Sequence, residues 1–227
     1  LAGCRSAGQG ARRGVGASGD RWYRGMFHMH TYWSDGRAFP EQAIDSYKKL
    51  GYDFLSVSDH NVFAADLNRW KTVEQKESGW PPAVTRPLVD AYGEAFGKEM
   101  ETRKEGDKTA VRLRTYAEMQ KRFEEPGRFL LMPAVEITQE LNGVHVHLNY
   151  VNLPAEIPCI KGVPPVKALK DTALSVSALI RQNASEVAQL AGQMRRPALL
   201  MLNHPQWVYW DVAPQNLIDN PEVRFFE

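Results

Sequence analysis

Cysteine is nearly absent: Cys4 and Cys159 are the two in 227 residues. They make no disulfide framework, and neither has the spacing of a zinc-binding cluster. Long apolar runs are missing too, and none reaches the roughly 20 residues of a bilayer span. Charge of one sign is also lacking, with 28 basic residues against 27 acidic. No global field therefore draws the chain to nucleic acid or to an anionic membrane surface. There is no internal repeat, no Ser-His-Asp arrangement and no phosphate-cradling glycine loop. Covalent catalysis through a serine or cysteine has no candidate here. The length suits one ordinary domain with a core of its own.

What the chain does have is six histidines in telling places: His28, His30, His60, His145, His147 and His204. None sits in a charged helix or a tail, and each falls in or beside an expected strand end with Asp, Asn or Glu nearby. The organising stretch runs from Gly25 to Asn61. His28 and His30 are two apart in a short apolar run, and a strand puts residues i and i+2 on one face. Two imidazoles on one face can grip a divalent ion. Asp35 follows on a turn closed by Gly36, close enough to add a carboxylate. Between Pro40 and Gly51 the pattern reads as a helix, with proline at its start and glycine past its end. A β-rich run then delivers Asp59, His60 and Asn61 at its C-terminal end. This strand–helix–strand unit gathers its ligand types where α/β folds place their sites.

The first twenty residues are rich in Gly, Ala, Ser and Arg and read as a flexible arm. Residues 21–227 are expected to form the domain, with residues 62–127 as a largely helical, solvated insertion over the mouth of the site. Arg69, Arg86, Arg112 and Arg114 within it are candidates to meet a phosphate. Arg128 to Val135 is a continuous apolar run that suits a strand buried on both faces. It ends in Glu136, and a buried glutamate is costly unless paired or metal-bound. A hairpin-like Glu140-Leu141-Asn142-Gly143 leads to the run carrying His145 and His147. Leu153 to Lys170 reads as a loop and Leu174 to Met194 as helix, with Val187, Leu190, Ala191 and Met194 on one stripe. Asn183-Ala184-Ser185 reads as a helix cap rather than a glycan site. A further buried strand ends in Asn203-His204-Pro205, before the bulky Trp207-Val208-Tyr209-Trp210. Asp59 and Asn203 are natural partners to fix imidazole tautomers. Buried strands alternating with helices argue for an α/β barrel with its site on the C-terminal face.

The run from His28 to Gly36, followed by Ser56–Asn61, resembles the first two motifs of the polymerase and histidinol phosphatase (PHP) superfamily of metal-dependent phosphoesterases. Phe129–Thr138, His145–Tyr150 and Leu199–Pro205 continue the resemblance in the family's order. It implies a distorted (β/α)7 barrel holding two to three divalent ions, with manganese, zinc and iron undistinguished. In that scheme His28, His30 and Glu136 hold the first ion. Glu136 bridges to a second on His147 and His204, and Asp35 with His60 holds the third. His147 fits the family pattern better than His145. A metal-bound hydroxide would attack a small phosphorylated substrate. The family pattern also matches Glu227 to an acidic residue and expects a later Asp-x-His pair, which these residues lack. The chain is accordingly expected to be C-terminally truncated. Leu1-Ala2-Gly3-Cys4 resembles a bacterial lipobox, which implies a lipid anchor at Cys4 and a cell-envelope location. The alternative is an ordinary linker in a cytoplasmic protein. Two other functions stay open: an amidohydrolase-like C–N bond hydrolase, for which no lysine stands at a strand end, and a non-catalytic metal-binding domain.

Overall fold

The computed structural model describes residues 21–76, 79, 81–97, 100–153, 168–169, 173–206 and 212–227. The arm with Cys4, Cys159 and the rest of 154–167, and the Trp207–Trp210 cluster lie outside the described residues.

A seven-stranded sheet is built from β1 (Gly25–Met26), β2 (Phe54–Val57), β7 (Leu130–Leu141), β8 (Val144–Val151), β10 (Leu199–Leu202) and β11 (Phe225–Phe226), paired in that order. β9 (Ala168–Leu169) adds to β7. Every pairing is parallel except those of β8, which is antiparallel to both neighbours. The β7–β8 connection is the hairpin read from the sequence. Asn142 (φ 50°) and Gly143 (φ 84°) both take the left-handed conformation that a two-residue turn of this hand demands. The sheet curls. Its outer strands β1 and β11 do not pair, yet His28 and Glu227, just beyond them, touch at 3.0 Å. A flat six-strand path would hold them about 24 Å apart.

Helix α1 (Pro40–Lys49) begins on Pro40, as its sequence demands, and links β1 to β2. Helix α4 (Val176–Met194) is capped by Ser175, whose hydroxyl accepts from the Ala178 amide. On this helix one sequence expectation fails, and the expected stripe holds at Val187 and Leu190 but not at Met194. Asn183 is no cap: it is mid-helix and fully buried, donating to Gln139 and accepting from the Tyr150 hydroxyl. The buried stripe carries Leu179, Ile180, Asn183 and Val187, whereas Met194 is exposed. Polar Asn183 is turned inward because Tyr150 and Gln139 offer it partners. This stripe, with the short helix α5 (Pro214–Ile218) below it, covers Val135, Ile137, Val146, Leu148 and Tyr150 on one face of the β7–β8 ribbon. The opposite face is left for the site.

The insertion is not chiefly helical. It holds α2 (Arg86–Phe96) and α3 (Tyr116–Phe123), but also a four-stranded sheet ordered β4 (Val84–Thr85), β3 (Trp70–Glu74), β6 (Lys108–Arg112), β5 (Thr102–Glu105). The β-branched Thr72, Val73, Thr109 and Val111 explain the strands, and Val73, Ala110 and Val111 are buried. Nor is the insertion mostly solvated. Val73, Val89, Tyr92, Val111 and Leu113 belong to one apolar cluster with Trp33, Ile44 and Leu55 of the larger sheet unit. Within it Arg112 pairs with Glu101 and Glu118, and Arg114 with the same two acids. No described helix is long and apolar enough to cross a membrane.

Because the cores are continuous, Leu113→Ala is expected to cost about 2–5 kcal/mol of global stability. Urea unfolding followed by circular dichroism and tryptophan fluorescence should shift in one coincident transition. Separate melting of the insertion would contradict the shared core.

Candidate metal centre

The described segment after β1 carries the first imidazoles. It is not a regular strand, but it keeps strand-like alternation beside β2: the Ser58 amide donates to the Met29 carbonyl at 2.9 Å. Met29 drops into the core, and His28 and His30 turn to the opposite side. Asp59, buried at the end of β2, fixes this segment. Its carboxylate accepts from the Thr31 amide (2.7 Å) and hydroxyl (2.8 Å) and from the Ser34 amide (3.1 Å) and hydroxyl (2.7 Å). Asp59 thus holds backbone and hydroxyls rather than an imidazole, a correction to its expected role. Gly36 belongs to the same packing: a methyl group there would lie 2.4 Å from the backbone of His30.

Glu136 stands mid-strand rather than at a strand end, because β7 runs on past β2 into its hairpin. Glu136 faces Asn149 and Thr138 faces His147 across the ribbon, which puts all four on the face away from α4. The Glu136 carboxylate is fully buried, and five imidazoles converge on it. Around Oε2 stand His30 Nε2 at 2.6 Å, His60 Nδ1 at 2.9 Å and His28 Nε2 at 3.4 Å. Around Oε1 stand His147 Nδ1 at 3.1 Å and His204 Nε2 at 3.5 Å. Asn203 donates its amide to the same Oε1 at 2.7 Å and to Asn149 at 3.0 Å. Asn203 therefore orients the carboxylate, not an imidazole tautomer.

The remaining ligand types lie around this axis. Asp35 meets His30 Nδ1 at 2.8 Å and His60 Nε2 at 3.3 Å. Thr138 Oγ1 contacts His60 Nδ1. Asn61, at φ 50°, accepts from the Thr138 amide and so clamps the end of β2 to β7. Glu227 bridges His28 Nδ1 and the backbone amide of His204, each at 3.0 Å. His204 itself has φ 25°, a strained backbone immediately before a proline. Four sets of donor atoms lie within 4.8 Å of one another: His28/His30/Glu136, His30/Asp35/His60, His60/Glu136/His147 and His28/His204/Glu227. His145 is in none of these sets; it is exposed, at the rim, with its ring 6.2 Å from that of His147.

Protonation follows from the crowding. Burial alone would push the Glu136 carboxyl up, but the imidazoles of His147, His204, His28 and His30 crowded against it hold it far below the usual carboxylate range. Burial opposes charge on His28, yet Glu136 and Glu227 outweigh it and raise the imidazole to about 9. His30 is also raised, through Glu136 and Asp35 against its burial. His147 goes down: its burial, with His204 and His60 close by, outweighs Glu136.

A cavity of about 830 Å³ opens over these groups, lined among others by His28, His30, Asp35, His60, His147 and His204. Its far wall comes from the insertion, through Arg69, Lys71 and Pro81. Of the four arginines suggested by sequence only Arg69 lines it. Arg112 and Arg114 are engaged with carboxylates, and Arg86 is exposed at the start of α2. The sequence reading missed Thr138, Asn149 and Lys71. Thr138 was accessible, since it stands two residues after Glu136 on a strand. Lys71 was hidden by the helical reading of its segment.

No protein-family model matches the chain, and no curated protein matches it. Several solved chains are similar to this one. One is a two-domain protein from Bacteroides vulgatus described as containing a predicted PHP-like metal-dependent phosphoesterase; it is 16% identical with a TM-score of 0.46. The match covers 90% of this chain and 43% of that one, so the present chain spans less than half of that protein's length. Another, from Bifidobacterium adolescentis, is described as a presumptive metal-dependent phosphoesterase and is 13% identical with a TM-score of 0.37. It is covered over 77% of its length, against 90% of this chain.

The raised His28 makes a signed prediction. In the metal-free protein its contribution to stability is fully present below pH 6.5 and is lost as pH rises through about 9. Binding of a divalent ion at pH 7 must expel that proton, and proton release should shrink above pH 9. Calorimetry in buffers of different ionisation enthalpy measures the release, and His28→Asn should lower it. Release that is unchanged in His28→Asn would contradict the assignment.

Proposed function

We propose that the chain is a metal-dependent hydrolase of phosphate esters of the PHP type. One observation carries the reading. Glu136 Oε2 is buried and makes no hydrogen bond, although three imidazole nitrogens stand within 3.4 Å of it. Nitrogens that are close but not directed as donors suit a shared cation better than a set of hydrogen bonds. The donor chemistry agrees: mixed imidazole and carboxylate ligands fit manganese, zinc or iron.

His28, His30 and Glu136 would hold one ion, and Glu136 with His147 and His204 a second. Asp35 and His60, with His30 within reach, would hold a third. Divalent ions held by these residues would supply Lewis-acid charge and would lower the pKa of a water toward neutrality. The chain's own groups prepare the place. Asn203 fixes one oxygen of Glu136, Thr138 and Asp35 contact the two nitrogens of the His60 ring, and Asp59 holds the loop that carries His30. The cavity is of the size that takes a small phosphorylated molecule. Its insertion wall adds the cations Arg69 and Lys71.

Metal analysis of the purified protein, coupled to a panel of phosphate esters, tests the reading. Glu136→Gln keeps the shape of the side chain and should abolish both tight metal binding and hydrolysis. Asn203→Ala, one contact further out, should cost about 10- to 100-fold in metal affinity or activity. Wild-type turnover in Glu136→Gln would contradict the proposal.

A further inference from the structure

We infer that the insertion strand β3, through Lys71 and the adjoining Arg69, is the element that selects phosphomonoesters over phosphodiesters. The inference rests on the phosphoesterase reading and deepens it by naming the substrate class.

Alternation along the strand puts residues 69 and 71 on one face, and both line the cavity over the Glu136 cluster. What separates them from neighbouring cations is the want of an acid. Arg103 pairs with Glu105, Lys108 with Glu74, and Arg112 and Arg114 with Glu101 and Glu118. Arg69 instead lies over the Trp33 ring at 6.0 Å, with one guanidinium nitrogen 3.5 Å from the Trp33 carbonyl. Lys71 has no hydrogen-bond or ion-pair partner among the described residues, although it is only half-exposed. The acid whose charge reaches Lys71 is Asp59, and that carboxylate is already taken up by Thr31 and Ser34. A half-buried ammonium beside a guanidinium, with no carboxylate between them, is costly without a bound anion.

The substrate class follows from charge and valence. Above its second pKa of about 6, a phosphomonoester carries two negative charges on three unesterified oxygens. A diester has one charge and two such oxygens. The donor cluster on the floor accounts for part of that charge in either case. The extra charge and extra oxygen belong to the monoester alone, and the Arg69–Lys71 wall is their complement. The pair acts on the phosphoryl oxygens and leaves the metal donors untouched. Removing Lys71 should therefore change which ester is preferred, with metal content held.

The test compares wild type, Lys71→Met and Lys71→Arg, each loaded with manganese, on p-nitrophenyl phosphate and bis(p-nitrophenyl) phosphate at pH 8. Inorganic phosphate binding is measured in parallel by calorimetry. Lys71→Met should lose about 10- to 100-fold in kcat/KM for the monoester, the effect of one charge-assisted hydrogen bond. It should lose a similar factor in phosphate affinity, change diester hydrolysis by less than about threefold, and keep its metal content. Lys71→Arg should recover most of the loss. An equal loss on both esters, or unchanged phosphate binding, overturns the inference while leaving the phosphoesterase reading in place. Wild type inactive on both esters overturns both.

Discussion

A carboxylate with no exposed surface sits at the centre of this fold, and most of the structure's polar detail follows from it. An isolated ionised glutamate in a protein interior is prohibitively unfavourable. Glu136 is kept ionised by five imidazoles drawn from four separate segments of the chain and by the Asn203 amide. Those segments meet only because the sheet curls until its two outer strands touch through His28 and Glu227. The same constraint explains the antiparallel β8. Reversing that strand places His147 and Asn149 opposite Thr138 and Glu136, on the face not covered by α4.

The imidazole cluster is then tied down from outside. Asp59 accepts four hydrogen bonds from Thr31 and Ser34, Asn61 joins β2 to β7, and Gly36 leaves room for the backbone of His30. These contacts hold backbone, and the backbone holds the rings. Preorganisation of this kind matters because Glu136 Oε2, toward which three of the ring nitrogens converge, makes no hydrogen bond that would align them.

Much of this was legible in the sequence where local chemistry and position agree. Pro40 announced α1, Asn142-Gly143 announced the hairpin, and the His-x-His pair with its intervening Met29 announced the alternation that divides core from site. The structure brings together every sequence-picked ligand type except His145, which stays at the rim. What failed did so for tertiary reasons. Trp70 to Glu74 has charged residues between β-branched ones, and only the buried partner strand β6 decides that it is a strand. Asn183 looks like a cap until Tyr150 and Gln139 supply buried partners. Lys71 could not be placed before the strand that carries it was known. Asp59 and Asn203 were read as orienters of histidine, since a sequence cannot say which acceptor or donor lies across the fold.

The central claim is that Glu136 and the imidazoles about it form a ligand set for a cluster of divalent ions. Anomalous diffraction at the manganese edge, from crystals of the protein equilibrated with manganese, tests it most directly. The account predicts at least two peaks, with the two oxygens of Glu136 directed to different ions and His28, His30, His147 and His204 in coordination. A single ion held away from Glu136, or no ordered manganese in the cavity, would contradict it.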